Sequence, residues 1–453
     1  MKNLSINIFF KHLKYLHNLN RTQLSNDTIK GFKYLKKNFL NINFFYVPSG
    51  KTDNYWVSPN KWEVISAKIY DIKKKIIIWD ALKENKLSLF TFSPSFKGKI
   101  KKEDLIKNHI LFDKKRPNSF IFHFRNQFRI FKKVWGFSIP FNKLKKLKKK
   151  EYFIDIKTRS NKSKMKMAYQ ICKGKSNHAV CFVSHFDHPY QSSDGISGCI
   201  GNHILTDELI KNKTKLTYVS LSSIEIIGSH FFAKKLGKKL NIKEALSINS
   251  LGANGVLNYS YSYSRSSVID RIVNNILLEK KVKIKINHFR GSMGADEIAF
   301  DSSGINISCG SLHRFPFREY HSSEDVPSKI NRKKLLESLE VQKKIIFYLE
   351  NNFVPKNLSK GMYCLSHPKL DLYVDRKKIS GMKNNSKHAL GLKFKNFDLN
   401  KCLIDIPREI DNKKSILEIA ENLELPFSLV YEICILFKNK KLIKLKWVSP
   451  FKT

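Results

Sequence analysis

Apolar and polar positions change rhythm several times along the chain. Over 5–19 and 26–40 apolar residues recur at helical spacing, which predicts two amphipathic helices. From Val47 to Pro140 the text turns to short aromatic and aliphatic runs broken by Pro, Gly and Asn. AKIYDI (67–72), KKIIIWDA (74–81), KLSLFTFSP (86–94) and SFIFHF (119–124) read as strands there, and only 104–111 reads as helix. From 151 to 355 strands alternate with helices. HAVCFVSHF (178–186) is an unbroken apolar run of the kind buried on both faces of a parallel sheet. It is followed by a helical pattern over 195–210, a strand over 216–225, helix over 228–240, strand over 244–252, helix over 266–280, a strand-like 283–289 and a long helix over 331–350. This alternation predicts an α/β/α sandwich on a mixed, mostly parallel sheet. In 396–453, Ser415 and Glu418 form a capping box ahead of one short helix. Leu425-Pro426 breaks it, 427–439 form a second helix, and LIKLKWV (442–448) a strand, a winged helix-turn-helix order.

Five segments follow: 1–46, helices belonging to the main domain; 47–150, a small inserted β-rich domain; 151–355, the α/β domain; 356–395, a linker; and 396–453, the winged helix.

Composition changes the picture little. The 453 residues carry a net charge of +46, but only 13 of the 84 basic residues are Arg. Arg supplies most bidentate phosphate and base contacts. Lys, Asn, Ile, Phe and Tyr, abundant throughout, are the residues of AT-rich codons, so the charge reads chiefly as genome composition. The 427–439 helix holds Leu429, Val430, Ile433, Cys434, Leu436 and Phe437, with basic residues only at its end. A recognition helix exposes polar side chains to the groove, so nucleic acid is disfavoured, and that unit reads as a packing or protein-contact module, with self-association left open. Seven scattered cysteines without a C-x-x-C argue against a disulfide framework or a structural Cys-zinc site. No apolar run has membrane-spanning length, and the N-terminus lacks a secretory pattern. A cytoplasmic location is the expectation.

The chemistry gathers at strand ends, where open α/β sheets bind ligands. The first strand delivers His185, Asp187, His188 and, six residues on, Asp194; the second delivers Glu225; the third delivers Asn249; a late loop adds Arg314 and Tyr320-His321-Ser322-Ser323-Glu324-Asp325. Imidazole and carboxylate are the usual ligands of a catalytic zinc. An Asp two residues after a His lies on the same strand face and can hold the ring through its second nitrogen. A neighbouring Glu can take a proton from water. The competing reading is a polar loop with a satisfied histidine.

SHFDHPYQSSDGISG, IEIIGSHFF, SINSLG and YHSSED, in that order, resemble the zinc-dependent aminopeptidase superfamily that includes glutaminyl cyclases. The likeness is closer to a branch of bacterial aminopeptidase-like proteins associated with polysaccharide biosynthesis. That branch has an inserted domain, matched here by Pro48-Ser49-Gly50-Lys51-Thr52, Trp56 to Trp62 and Trp135-Gly136-Phe137, and a terminal winged helix. The resemblance implies a zinc-exopeptidase-like fold with His185 and His321 as metal ligands, Asp187 as the partner of His185, Asp194 as the metal-bridging carboxylate and Glu225 as general base. His188 is shared with the branch and can also ligate. Ile226 stands where the pattern has a second Glu, and Asn249 where it has an Asp. With those two ligands gone, one zinc ion is expected, held by Asp194, His321 and one or both of His185 and His188. Asp296-Glu297, in a stretch like one in the branch, can bind a substrate amine. Arg314 and Tyr320 can meet a substrate carboxylate or an oxyanion. The implied activity is that of an aminopeptidase or amidohydrolase on a small peptide or amide. The alternatives are a degenerate binding or regulatory protein and a mononuclear-zinc acyl transferase or cyclase.

Overall fold

Ala179–His185 is buried at every position, as an apolar run with no polar face requires. The computed structural model describes residues 6–279, 282–373, 394 and 397–451. The chain divides into two units, Met1–Ser267 with Ile284–Leu339, and Val268–Lys283 with Glu340–Thr453.

The first unit is built on an eight-stranded sheet. Its order is Ile42–Pro48, Lys164–Cys172, Thr217–Ser223, Ala179–His185, Ile242–Asn249, Ser308–Arg314, Leu257–Ser260 and Lys285–Asn287. The four central strands run parallel, the strand on either side joins them antiparallel, and the edge pair Leu257–Ser260 and Lys285–Asn287 is parallel. This is the expected α/β architecture, with all four parallel strands ending at the same edge. Helix Ile196–Asn212 lies so close to the sheet that a Cβ at Gly198 would sit 2.0 Å from the Ile248 carbonyl. Four of the strands were not predicted: Ile42–Pro48, Lys164–Cys172, Leu257–Ser260 and Ser308–Arg314. The first two have exposed positions and pair at an edge, so their alternation is weak.

A second sheet, antiparallel throughout, joins Ile77–Asp80, Lys61–Asp71, Glu151–Asn161 and Phe96–Lys101. Its core holds Trp62, Trp79, Phe122, Phe137 and Tyr152. The expected boundary at 150 therefore cuts this sheet, because Glu151–Asn161 is one of its two inner strands. Neither 86–94 nor 119–124 is a strand. Each makes a single bridge, Leu89 to Phe137 and Ile121 to Ser322. Phe90, Phe92, Phe120 and Phe122 are buried while Phe124 is exposed, and neither backbone forms a continuous ladder with a neighbouring strand.

In the second unit, helices Val268–Leu278, Leu399–Glu409, Ile416–Asn422 and Phe427–Asn439 accompany the antiparallel pair Phe353–Asn357 and Ile443–Trp447. The capping box of Ser415 and Glu418 is present. The helix expected over 266–280 belongs here rather than with the sheet: Asn275 donates to the Leu425 carbonyl (2.9 Å) and accepts from the Phe427 N–H (2.7 Å), and Arg271 pairs with Glu421. Leu429, Val430, Ile433, Cys434 and Phe437 are all buried, which fits a packing helix. The expected linker falls partly outside the described residues. Among the described residues no helix is long and apolar enough to cross a membrane.

Candidate metal centre

The loop leaving Ala179–His185 is held open by a buried cation. Arg21, fully buried in the turn between the first two helices, donates to the carbonyls of Phe186 (2.6 Å), Asp187 (3.3 Å), Gln191 (2.7 Å) and Leu16 (3.0 Å). Burial lowers its pKa to about 10, which leaves it charged. Arg21→Met keeps the stem and removes every donor, so several buried carbonyls lose their partners. A loss of about 3–5 kcal/mol is expected in urea unfolding; a loss below about 1 kcal/mol would show that the loop holds its shape without the guanidinium.

The loop re-enters a helix through Gly195, at φ +92°, where a Cβ would lie 2.5 Å from His185 Cδ2. Asp325 accepts from the N–H groups of Ser193 (2.8 Å to Oδ1) and Asp194 (3.1 Å to Oδ2), which aims the Asp194 side chain inward. His188, Ile226 and His321 also adopt positive φ, at 75°, 58° and 52°. Such backbone is costly away from glycine, most of all for a β-branched residue, and clusters where function over-determines geometry.

Three imidazoles converge on one carboxylate. His185 Nε2 lies 3.2 Å from Asp194 Oδ1, and His188 Nδ1 and His321 Nε2 lie 2.9 and 3.0 Å from Oδ2. The other nitrogen of His188 reaches Glu225 Oε2 at 2.9 Å. Burial would lower the pKa of His185 and His188, but Asp194 outweighs it: His185 is held well above the ordinary imidazole range and His188 at about 9. Burial would likewise raise Asp194 and Glu225, yet the facing histidines hold Asp194 well below the usual carboxylate range and pull Glu225 down. His321 is lowered, burial prevailing over Asp194. The cluster is therefore a buried assembly of protons and charges, the condition in which a divalent cation replaces protons.

The loop of His321 is clasped by the segment 119–124. Phe122 N–H donates to the His321 carbonyl and Ser323 N–H to that of Phe120, both at 2.8 Å; Arg116 holds the carbonyls of Arg318 and Tyr320. Phe122 and Phe124 stand 5.3 and 5.1 Å from the His321 ring, and Tyr320 stacks on it at 3.9 Å.

The expected residues thus divide. His185, His188, Asp194, Glu225 and His321 come together. Asp187 does not take up the imidazole: its Oδ1 accepts the Glu225 N–H at 2.8 Å. Asp296 is buried and accepts from Ile226 N–H (3.0 Å) and the Ser229 hydroxyl (2.7 Å). Glu297 turns back on the Ala295 N–H (2.9 Å) and Arg290, and burial raises it to about 7. Arg314 is not available to a substrate. It is buried and spends its donors on Ser338, Glu337 and the Leu251 and Gly255 carbonyls. Asn249 is buried beside Ser247. Arg21, Phe122 and Phe124 were missed. Nothing in their local sequence distinguishes them from other basic or aromatic residues.

Comparison with known proteins bears on the fold and the family. A family model described as a domain of unknown function, DUF4910, matches residues 10–352. A Clostridium acetobutylicum protein, provisionally described as a polysaccharide biosynthesis protein with an aminopeptidase-like domain, is 28% identical over 317 residues, covering 69% of this chain and 71% of its own. A crystal structure from Clostridium acetobutylicum, provisionally described as a peptidase, aligns over 97% of this chain and 96% of its own with a TM-score of 0.80 at 23% identity. BSAP, a zinc aminopeptidase from Bacillus subtilis, aligns over 77% and 95% with a TM-score of 0.54 at 11% identity. The architecture is that of the zinc aminopeptidases. Because the family match runs from the N-terminal helices through every strand end that feeds the histidine cluster, the chain belongs to the DUF4910 family.

Proposed function

We propose that this protein is a metal-dependent hydrolase of the aminopeptidase or amidohydrolase type, acting on a small peptide or amide-linked substrate. One observation carries the reading: three imidazoles meet on the Asp194 carboxylate, with Glu225 one hydrogen bond beyond. Ligand atoms of His185, His188 and Asp194 lie within 4.8 Å of one another. That donor set, with His321, suits zinc and related divalent ions. His185, His188, Asp194 and His321 would hold a single ion, since Ile226 and Asn249 supply no carboxylate for a second. When bound, the ion supplies Lewis-acid polarisation of an amide carbonyl. His188, with its proton on Nε2, orients the Glu225 carboxylate. Glu225 takes a proton from water and passes it to the leaving amine. Phe122, Phe124 and Tyr320 wall the His321 side and help exclude solvent. The description of the Clostridium relative supports a place in polysaccharide metabolism.

The test is metal analysis of the purified protein with turnover of aminoacyl anilides and amides. About one zinc per chain is expected, with activity lost after chelator dialysis and restored by zinc. A metal-free protein of undiminished activity would overturn the reading. The missing carboxylates at 226 and 249 favour one competitor, a binding protein that keeps the ion; it predicts stoichiometric metal and no turnover of any substrate.

A further inference from the structure

Metal-ligating histidines need their second nitrogen held, because the proton must sit on the nitrogen that faces away from the ion. His185 turns Nε2 toward the Asp194 carboxylate, where an ion would sit, so with Nε2 ligating the remaining proton belongs on Nδ1. Nδ1 is buried and has no hydrogen-bond partner. The carboxylate oxygen facing it is not from Asp187 but is Asp296 Oδ2, at 3.7 Å. That oxygen is also buried and also without a partner. Two complementary orphans in a dry interior each cost about 1–3 kcal/mol, and a shift of less than about 1 Å satisfies both.

The rest of Asp296 is anchored so that Oδ2 can point only this way. Its Oδ1 accepts from Ile226 N–H at 3.0 Å and from the Ser229 hydroxyl at 2.7 Å. Ser229 in turn lies 2.8 Å from Ser223 Oγ, at the end of the strand beside that of His185. Asp187, meanwhile, has its Oδ1 committed to the Glu225 N–H; its Oδ2 is buried and unpartnered too, but it is Asp296, not Asp187, that faces His185 Nδ1.

We propose that Asp296 is the positioning residue that fixes the His185 tautomer, and that Asp187 has exchanged this task for fixing the backbone of Glu225. The proposal rests on the metal-site reading above only in its consequence for the ion; the facing of His185 Nδ1 and Asp296 Oδ2 stands without it. The strain at Ile226 acquires a reason. Its positive φ presents its N–H to Asp296 while Glu225, one residue earlier, gives its own N–H to Asp187. Two consecutive amides thereby anchor the two carboxylates.

Asp296→Asn separates the roles. An amide has one acceptor oxygen. Kept on Ile226 N–H and Ser229, it turns the NH2 toward His185 Nδ1, and a donor there opposes a proton on Nδ1, the nitrogen that must carry one when Nε2 ligates. In metal-free, nitrogen-labelled protein, the Nδ1 proton of His185, assigned by its loss in His185→Gln, is expected far downfield, as for an imidazole bonded to a carboxylate. Asp296→Asn should abolish that signal, and Asp187→Asn should leave it. In competition with a chromophoric chelator, Asp296→Asn should weaken zinc binding by about 10–100-fold, and Asp187→Asn by less. A wild-type His185 without a downfield Nδ1 proton overturns the proposal, whether or not the variants fold. So does loss of the signal in Asp187→Asn with retention in Asp296→Asn. A wild-type protein that shows the signal but binds no zinc leaves the bond in place and overturns the metal reading instead.

Discussion

Asp194→Asn is expected to strip the protein of its ion. The carboxylate is the common acceptor of His185, His188 and His321, at 3.2, 2.9 and 3.0 Å, and the asparagine amide has one acceptor oxygen to offer three rings. It also lacks the charge that holds His185 and His188 in their raised state against burial. Losing a group that only orients a ligand costs about 10–100-fold in affinity; losing the ligand on which the others converge should cost more. Metal analysis after gel filtration should fall from about one ion per chain to under about a tenth. The side chain is nearly isosteric, so far-UV circular dichroism should be unchanged, and Asp194→Ala is the second variant if it is not. Near-stoichiometric zinc in a folded Asp194→Asn protein would mean that the ion, if any, sits elsewhere.

The contrast between Asp194 and Arg314 shows what can be read from a chain and what cannot. Hydropathy records whether a position is buried and with which period. It located Ala179–His185 and its neighbours, and it placed His185, Asp194 and Glu225 at strand ends where a parallel sheet must gather them. It carries no record of which partner satisfies a polar group. Arg314 read as a substrate clamp because a strand-end arginine beside a Tyr-His looks functional, yet its donors go to Ser338, Glu337 and two carbonyls. Arg21 is one of 84 basic residues, and only the folded loop reveals the carbonyls it holds. Asp187 read as the partner of His185 because strand periodicity puts i and i+2 on one face, which is true only while the chain remains a strand. The strand stops at His185, so the rule fails one residue too early. The segment 119–124 had a strand's composition, but its backbone went to the loop of His321.

Glu225→Gln is expected to keep the ion and lose turnover, and the pairing of those outcomes matters more than either alone. The glutamine oxygen can still accept from His188 Nε2, and the backbone N–H of residue 225 still binds Asp187 Oδ1, so the loop should hold its shape. What disappears is a proton acceptor, and its loss should lower kcat by about 100- to 10,000-fold while leaving KM within a few-fold. Zinc content and melting temperature should match the unmodified protein. If zinc falls together with activity, Glu225 is a ligand that has taken over from the carboxylates missing at Ile226 and Asn249, and the base must be sought elsewhere. If turnover is unchanged, no proton passes through Glu225, and its bond to His188 serves only to hold the ring. The separation works because Glu225 touches the cluster through His188 rather than through Asp194. A group one hydrogen bond removed from the carboxylate that gathers the ligands can be neutralised without disturbing what that carboxylate holds.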